Sequence, residues 1–122
     1  MKEKFGIGID IVNISRFEKI SIVSKADFYR KIFLPSEIKY CIKFKKNSEH
    51  FAGKFAIKEA VKKSISEKVD FLNIKTSHFK SKPIVEIINN KKYSFIVSLS
   101  HESNFAIAIV ISVKKIVCPS FK

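Results

Sequence analysis

The chain has 122 residues, a length that fits one domain with one modest hydrophobic core. It carries 24 basic and 11 acidic residues, and the net charge of +13 favours anionic partners such as nucleic acid, phosphorylated small molecules or an acidic protein. No apolar run approaches the ~18 residues that span a bilayer, and the N-terminus lacks the apolar segment of a signal peptide. The sequence therefore predicts a cytoplasmic protein with no membrane partner.

The first residues predict a strand, Phe5–Val12. Because side chains alternate across a strand, Asp10 shares its face with Gly6 and Gly8, and large apolar residues occupy the opposite face. A carboxylate in so apolar a strand is costly unless it is paired, hydrogen-bonded or bound to a cation. The glycines would let a ligand approach Asp10 closely. A structural Asp10 that caps a helix or pairs with a lysine, and a helix packed tightly on the glycines, would explain the same pattern.

Three short helical segments are predicted next. Ser15 and Glu18 form a capping box that opens the first, which extends to Val23. The second covers residues 26–33, and Pro35 lies just ahead of the third.

A long helix is predicted over about residues 47–68, and Glu59 lies on it beside the apolar seam that contains Phe55. Lys63 follows Glu59 by one turn, an arrangement that is usually a solvated pair worth ~0.2–0.5 kcal/mol. The neighbouring seam favours partial burial of Glu59 instead. If Glu59 and Asp10 converge, a hard divalent cation would neutralise their repulsion, since Mg²⁺ takes one or two carboxylates and fills its other positions with phosphate oxygens and water.

The second half of the chain predicts strands, and the order of all the predicted elements indicates the fold class. They cover residues 71–79, 83–88, 93–99 and 105–113. The last is continuously apolar, as expected for a strand buried on both faces, and Asn89-Asn90 predicts a hairpin turn. A strand, then helices, then antiparallel strands indicate a single α+β domain over residues 1–122.

Histidines and cysteines give little signal by themselves. His101 lies in a predicted loop, residues 100–104, and Ser100 cannot act with it as a hydrolase pair because adjacent strand residues point to opposite faces. His50 and His78 have no supporting context. The two cysteines, Cys41 and Cys118, have no C-x-x-C spacing and no nearby histidine, which favours reduced thiols over a disulfide or a zinc site.

Four segments occur in an informative order along nearly the whole chain. They are Gly6–Val12, Arg16-Phe17, Phe51–Ala60 and Ser98–Glu102. Together they resemble the holo-acyl-carrier-protein synthase family, the small phosphopantetheinyl transferases. The resemblance implies an α+β fold and Mg²⁺-dependent transfer of 4′-phosphopantetheine from coenzyme A to a serine of apo-acyl carrier protein, with release of adenosine 3′,5′-bisphosphate. It also implies a homotrimer with active sites between subunits.

The resemblance assigns catalytic roles to Asp10, Glu59 and Lys63. The two acids match the metal-binding residues of the family, and Lys63 matches a lysine close to the coenzyme A phosphates. From the mechanism we expect Glu59, or a metal-bound water, to deprotonate the carrier serine.

The resemblance also implies binding residues for the cofactor and the carrier. Lys54 replaces a basic residue that helps to hold the cofactor, together with Lys63, and Ser100 with His101 matches the loop that contacts the nucleotide part. Arg16 matches a basic residue on the helix that receives the acidic carrier protein. We add two further basic residues to this candidate surface, Lys19 and Arg30.

The sequence departs from the family pattern after Lys63. The family usually has glycines there, whereas Ser64–Lys68 is polar and predicts a continuing helix. Ser81-Lys82-Pro83 replaces the usual Gly-Lys-Pro, which is a milder change. These differences leave open a catalytically inactive interaction module of the same fold.

A basic nucleic-acid-binding domain is the alternative from another class. It needs lysines on one face with exposed aromatic residues between them. Here the phenylalanines mostly occupy core-periodic positions, and Asp10 and Glu59 would have no role. The sequence therefore favours the transferase, with no nucleic acid as partner.

Overall fold

A strand, a group of helices and then four strands follow one another along residues 2–116, which are the residues described by the structure, a computed structural model. This order confirms the predicted α+β class. The elements are β1 (Lys2–Asn13), α1 (Ser15–Lys19), α2 (Ala26–Arg30), α3 (Pro35–Cys41), α4 (Asn47–Ser64), a 3₁₀ turn (Phe71–Asn73), β2 (Ile74–Phe79), β3 (Lys82–Ile87), β4 (Tyr93–Glu102) and β5 (Phe105–Ile116).

The main sheet is antiparallel and has the strand order β1-β5-β4. Strands β4 and β5 form a hairpin around Ser103-Asn104, and β5 then pairs with β1 from Asn13 opposite Phe105 to the other end of both strands. Strands β2 and β3 form a separate hairpin, whose turn at Lys80-Ser81 has positive φ angles of 50° and 66°. This pairing places the first strand beside the last one.

Helix α4 packs on the main sheet so closely that β1 needs its glycines. A Cβ atom at Gly8 would lie 1.9 Å from the carbonyl oxygen of Ala60, and one at Gly6 would lie 1.9 Å from that of Ser64. Of the two explanations that the sequence left open, the tightly packed helix is therefore the correct one for the glycines. Asp10 is next in line on the same face, so its side chain points towards α4.

The opposite side of the main sheet, which we call the outer face, is apolar and exposed in the single chain. Ile7 and Ile9 on β1 are 63% and 58% exposed, and Ile96 on β4 is 65% exposed. Within residues 2–116 of the single chain only the α4 side of β5 is covered, so the predicted burial of residues 105–113 on both faces is wrong there. The other exposed large hydrophobic residues of the outer face are Phe5, Ile11, Phe105, Ile109 and Ile111.

An aromatic cluster fixes α1 and α2 against α4. The ring of Phe17 on α1 lies 6.0 Å from that of Tyr29 on α2 and 5.6 Å from that of Phe55 on α4. The Tyr29 hydroxyl donates hydrogen bonds to the carbonyl oxygens of Phe17 and Ile20. The short helices therefore have a defined position next to the long one.

A buried ion pair joins α3 to α4. The Nζ atom of Lys58 lies 2.6 Å from the Glu37 carboxylate, and neither side chain is exposed. Lys58 also donates to the carbonyl oxygens of Ile32 and Phe71, at 2.8 and 3.0 Å. Glu37 in turn accepts the backbone N–H of Thr76 at 2.8 Å. No local pattern in the sequence indicates this network, because its members are far apart along the chain.

The predicted capping box of the first helix was wrong. Ile14 precedes α1, and the backbone N–H of Ser15 donates to the side chain of Asn13. Because α1 ends at Lys19, the predicted extension to Val23 was wrong as well.

Helix α4 ends at Ser64 and not at Lys68. Ile65 has an extended backbone, and the hydroxyl of Ser112 on β5 donates to the Ser64 carbonyl oxygen at 2.9 Å. The helical continuation over 64–68 was therefore wrong, because β5 supplies a partner for the last carbonyl group.

Two connections between strands also differ from the predictions. Asn89 has a positive φ of 63°, but the turn there joins β3 to β4, which belong to different sheets and form no hairpin. The predicted loop 100–104 is shorter, since β4 continues to Glu102. The predicted strand 71–79 begins with the 3₁₀ turn.

Cys41 is a free thiol with no solvent exposure. Burial raises its pKa to about 12, so it stays protonated near neutral pH. The other cysteine, Cys118, lies outside the described residues, so the predicted reduced state of both thiols stays a prediction. Within residues 2–116, none of the helices is long and apolar enough to cross a membrane.

Candidate active site

Asp10 and Lys63 meet across the contact between β1 and α4. The Nζ atom of Lys63 lies 3.0 Å from Oδ1 of Asp10 and also donates to the backbone carbonyl oxygen of Ile9 at 3.1 Å. The Asp10 side chain is 14% exposed and that of Lys63 is 52% exposed. The lysine partner that the sequence left open for Asp10 is therefore present, and a ligand can still reach the ammonium group.

Glu59 lies one turn before Lys63 on α4 and is partly buried, as the apolar seam predicts. Residues at i and i+4 occupy the same side of a helix, so Glu59 belongs to the side of α4 that bears Lys63. Lys62 points elsewhere, because its ammonium lies 3.6 Å from the ring centroid of Phe71. Asp10 and Lys63 thus meet where α4 packs on β1, and the helical repeat places Glu59 on the side of α4 that bears Lys63.

The donor set on this side fits a hard divalent cation. Carboxylate oxygens are the protein ligands that Mg²⁺ prefers, and the Asp10 carboxylate already forms an ion pair with the ammonium group of Lys63. Within residues 2–116, no cluster of three or more His, Cys, Asp or Glu side chains could hold a metal ion. A cation held by Asp10 and Glu59 would therefore depend on water or substrate oxygens for its other ligands.

Lys54 lies on the opposite side of α4, since the separation from Lys63 is about two and a half turns. It is only 4% exposed, and its Nζ donates to Oγ1 of Thr76 at 3.0 Å and lies 4.8 Å from the centroid of the Tyr40 ring. Burial lowers the pKa of Lys54, and the nearby groups of Cys41 and Glu37 raise it. No pattern in the sequence indicates that this lysine is buried.

His101 extends from β4 onto α4. Its Nε2 lies 3.3 Å from the carbonyl oxygen of Glu49, and a Cβ atom at Gly53 would come within 3.2 Å of the same nitrogen. Gly53 therefore provides the space in which the imidazole lies. Ser100 precedes His101 in the strand and so points to the outer face; the two side chains do not meet within one chain.

The three histidines of the chain line one cavity with Lys54 and Tyr40. The cavity has a volume of about 30 Å³ and lies between α3, α4, β2 and β4. The sequence does not reveal that His50 and His78 lie close to His101, because they come from α4 and β2 and no local pattern relates these elements.

The candidate carrier-binding residues lie on the neighbouring helices α1 and α2. Arg16 and Lys19 are exposed on α1, and the Arg16 guanidinium lies 5.2 Å from the centroid of the Phe55 ring. Arg30 on α2 is exposed and pairs with Asp27 at 3.3 Å. The structure brings the three basic residues to the same group of helices.

A family model for the 4′-phosphopantetheinyl transferase superfamily matches residues 6–110. The chain is 39% identical over 115 residues to a holo-[acyl-carrier-protein] synthase of Helicobacter pylori, an alignment that covers 86% of this chain and 94% of that protein.

The chain is also similar to solved structures of holo-(acyl-carrier-protein) synthases. A holo-(acyl-carrier-protein) synthase from Bacillus anthracis, in complex with coenzyme A (3′,5′-ADP), has a TM-score of 0.77 at 32% identity and covers 90% of this chain and 96% of its own. One from Helicobacter pylori, in complex with coenzyme A, has a TM-score of 0.74 at 39% identity over 87% of this chain and 98% of its own. The chain therefore belongs to the 4′-phosphopantetheinyl transferase superfamily, and within it to the holo-acyl-carrier-protein synthases that its sequence resembles.

Proposed function

We propose that the protein is a holo-[acyl-carrier-protein] synthase, which transfers 4′-phosphopantetheine from coenzyme A to a serine of apo-acyl carrier protein. The relatives bear this name, and two of the similar solved structures are complexes with coenzyme A. The observation that carries the proposal is the meeting of Asp10 with Lys63 on the side of α4 that bears Glu59. A nucleic-acid-binding domain would give these three residues no role.

The proposed mechanism depends on charge. Mg²⁺ bound by Asp10 and Glu59 would supply positive charge beside the pyrophosphate of coenzyme A. Lys63 is exposed enough to bind a phosphate oxygen and to stabilise the negative charge of the departing adenosine bisphosphate. Glu59 accepts the proton of the carrier serine, directly or through a water molecule.

The transfer itself can be tested by mass spectrometry. The protein, coenzyme A, Mg²⁺ and an apo-carrier are incubated, and the carrier should gain the mass of one phosphopantetheine. A carrier in which the acceptor serine is replaced by alanine serves as the control. If the carrier gains no mass while the protein shifts RNA or DNA in gels at physiological salt, the nucleic-acid alternative is correct.

We propose that the carrier docks on the exposed basic residues of α1 and α2. Arg16→Glu should raise the KM for the carrier much more than the KM for coenzyme A, because a rim charge acts on encounter with an acidic partner. The effect should weaken as salt screens the contact. Lys91→Glu, an equal charge change at an exposed residue after β3, is the matched control. Equal changes in both KM values would contradict this docking surface.

We propose that the protein is a homotrimer in which the outer face is covered by neighbouring subunits. Ile7, Ile9 and Ile96 would otherwise leave a contiguous apolar patch in water, which monomeric proteins rarely tolerate. The two halves of the proposed site also lie on different sides of α4, with Asp10 on one and His101 on the other. A coenzyme A molecule at a subunit boundary could reach both from different chains.

Ile9→Asp should convert the trimer into monomers, since it places a charge on the outer face, among the exposed isoleucines of β1. Light scattering measures the mass of the assembly, and Ser98→Asp in the same assay shows how far a charge at a polar position of that face weakens the trimer.

Mixing Glu59→Gln with His101→Ala subunits should restore part of the activity that each variant lacks. A wild-type monomer that turns over would refute the shared site.

A further inference from the structure

The cavity between α3, α4, β2 and β4 brings three imidazole groups together. His50, His78 and His101 are the only histidines in the sequence, and all three line this cavity. Its volume of about 30 Å³ is enough for a water molecule or a single ligand oxygen. His78 and His101 are exposed and His50 is partly buried, so a larger group outside the cavity can reach the rings.

Aromatic stacking holds two of the imidazole rings in place. The His78 ring stacks on Tyr40 with a centroid distance of 4.6 Å and an interplanar angle of 23°. The His50 ring stacks on Phe44 at 3.7 Å and 18°. Since stacking uses the faces of the rings, it leaves the nitrogen atoms at their edges directed away from the aromatic partner. These rings are thus positioned as hydrogen-bond donors or acceptors.

The surroundings of the two histidines are mainly positive. Lys43 lies 4.8 Å from the Tyr40 ring centroid and 5.8 Å from that of Phe44, and Lys54 approaches the Tyr40 ring on the cavity side. The acidic side chain whose charge raises the pKa of His50 is Glu49. The buried acid behind Thr76, Glu37, is already paired with Lys58. An anion is therefore the ligand that this cluster would stabilise.

Burial lowers the pKa of His50, the charges of His101 and Lys54 lower it further, and Glu49 partly opposes them. Burial also lowers the pKa of His78, with Lys54, His50 and Lys43 acting in the same direction. The ordinary histidine value is 6.5, so both rings are neutral near pH 7 in the free protein. Negative charge brought by a ligand would favour their protonated forms and raise both pKa values.

We propose that His50 and His78 bind the phosphorylated nucleotide end of coenzyme A together with His101, and that each takes up a proton when it does so. The inference rests on the proposed function, because it takes coenzyme A as the ligand. His101 is the residue that the family resemblance places at the nucleotide, and the cavity extends from it to the other two rings. Lys54 is buried in the wall of the cavity, so its positive charge acts on the phosphate from inside the protein.

Proton uptake makes the affinity depend on pH in a definite direction. Between the pKa of the free histidine and its higher value in the complex, binding consumes a proton, so affinity rises as pH falls. The gain is about tenfold for each pKa unit by which the ligand raises one histidine. It begins as the pH falls through the pKa values of the complex and is complete below those of the free protein.

Calorimetric titration with adenosine 3′,5′-bisphosphate tests the proposal. Affinity and proton uptake are measured at pH 6 and pH 8, in pairs of buffers with different ionisation enthalpies. His50→Gln and His78→Gln should each reduce the proton uptake at pH 6 and the ratio of the affinities at the two pH values. Lys91→Gln, which removes a distant exposed charge, should behave like the wild type. The ligand's own phosphate titration is common to all proteins and cancels in the comparison.

Unchanged proton uptake in both histidine variants would overturn the proposal. If the variants do not fold, the three imidazole C–H signals of the wild type can be followed by nuclear magnetic resonance. The pKa values of His50 and His78 should rise when the bisphosphate is added, and unchanged values would overturn the proposal as well. Transfer to the apo-carrier by the wild type tests the proposed function separately, so the failure of one can be told from that of the other.

Discussion

Asp10→Asn and Glu59→Gln should each reduce phosphopantetheine transfer by at least about a hundredfold, the loss that follows removal of one strong electrostatic contact to a transition state. Each substitution preserves the size of the side chain and removes one negative charge from the β1 side of α4. If both acids hold the same divalent cation, each variant should also bind Mg²⁺ more weakly. Transfer is measured by the mass gain of the carrier, and Mg²⁺ binding by calorimetry.

Glu86→Gln is the matched control for these variants, since Glu86 is an exposed acid on β3, away from α4. Circular dichroism and thermal unfolding would show whether the fold is intact. Near-normal turnover at low Mg²⁺ in either active-site variant would show that Asp10 and Glu59 do not form one metal site.

The positions of Asp10 and Lys63 relative to α4 and β1 depend on local periodicity. Alternation along β1 placed Asp10 on the face of Gly6 and Gly8, and in the structure this face meets α4. The one-turn spacing placed Lys63 on the same side as Glu59, and the structure shows Lys63 in contact with Asp10. Periods of two and 3.6 residues are properties of the backbone, so the sequence alone reveals them.

The features that were missed depend on contacts between distant parts of the chain. Helix α4 ends at Ser64 because Ser112, on the last strand, bonds to its carbonyl group. His50 and His78 line the same cavity because α4 packs beside β2. The outer face of β5 is exposed because no second layer within residues 2–116 covers it. An apolar run in the sequence does not show whether a helix of the same chain or another subunit covers it.

The ion pair between Lys58 and Glu37 also belongs to these long-range features, and its position predicts a large effect on stability. Both side chains are fully buried, and Glu37 accepts hydrogen bonds from the backbone N–H groups of Leu34 and Thr76 at 2.7 and 2.8 Å. Those neutral donors would remain if Lys58 were removed, but the positive charge would not. A buried carboxylate without its counter-charge is far more costly than an exposed one.

Lys58→Met should therefore lower the free energy of unfolding by about 3–5 kcal/mol, the usual cost of removing one partner of a buried pair. Urea denaturation at one fixed protein concentration measures the loss, since any subunit association would also shift the midpoint. Lys62→Met on the same helix is the control; it removes an ammonium that lies on the Phe71 ring and should cost about 1 kcal/mol or less. The double variant Glu37→Gln/Lys58→Met should recover part of the loss, because neither charge is then buried. Equal effects of Lys58→Met and Lys62→Met would show that the buried pair contributes nothing specific to the fold.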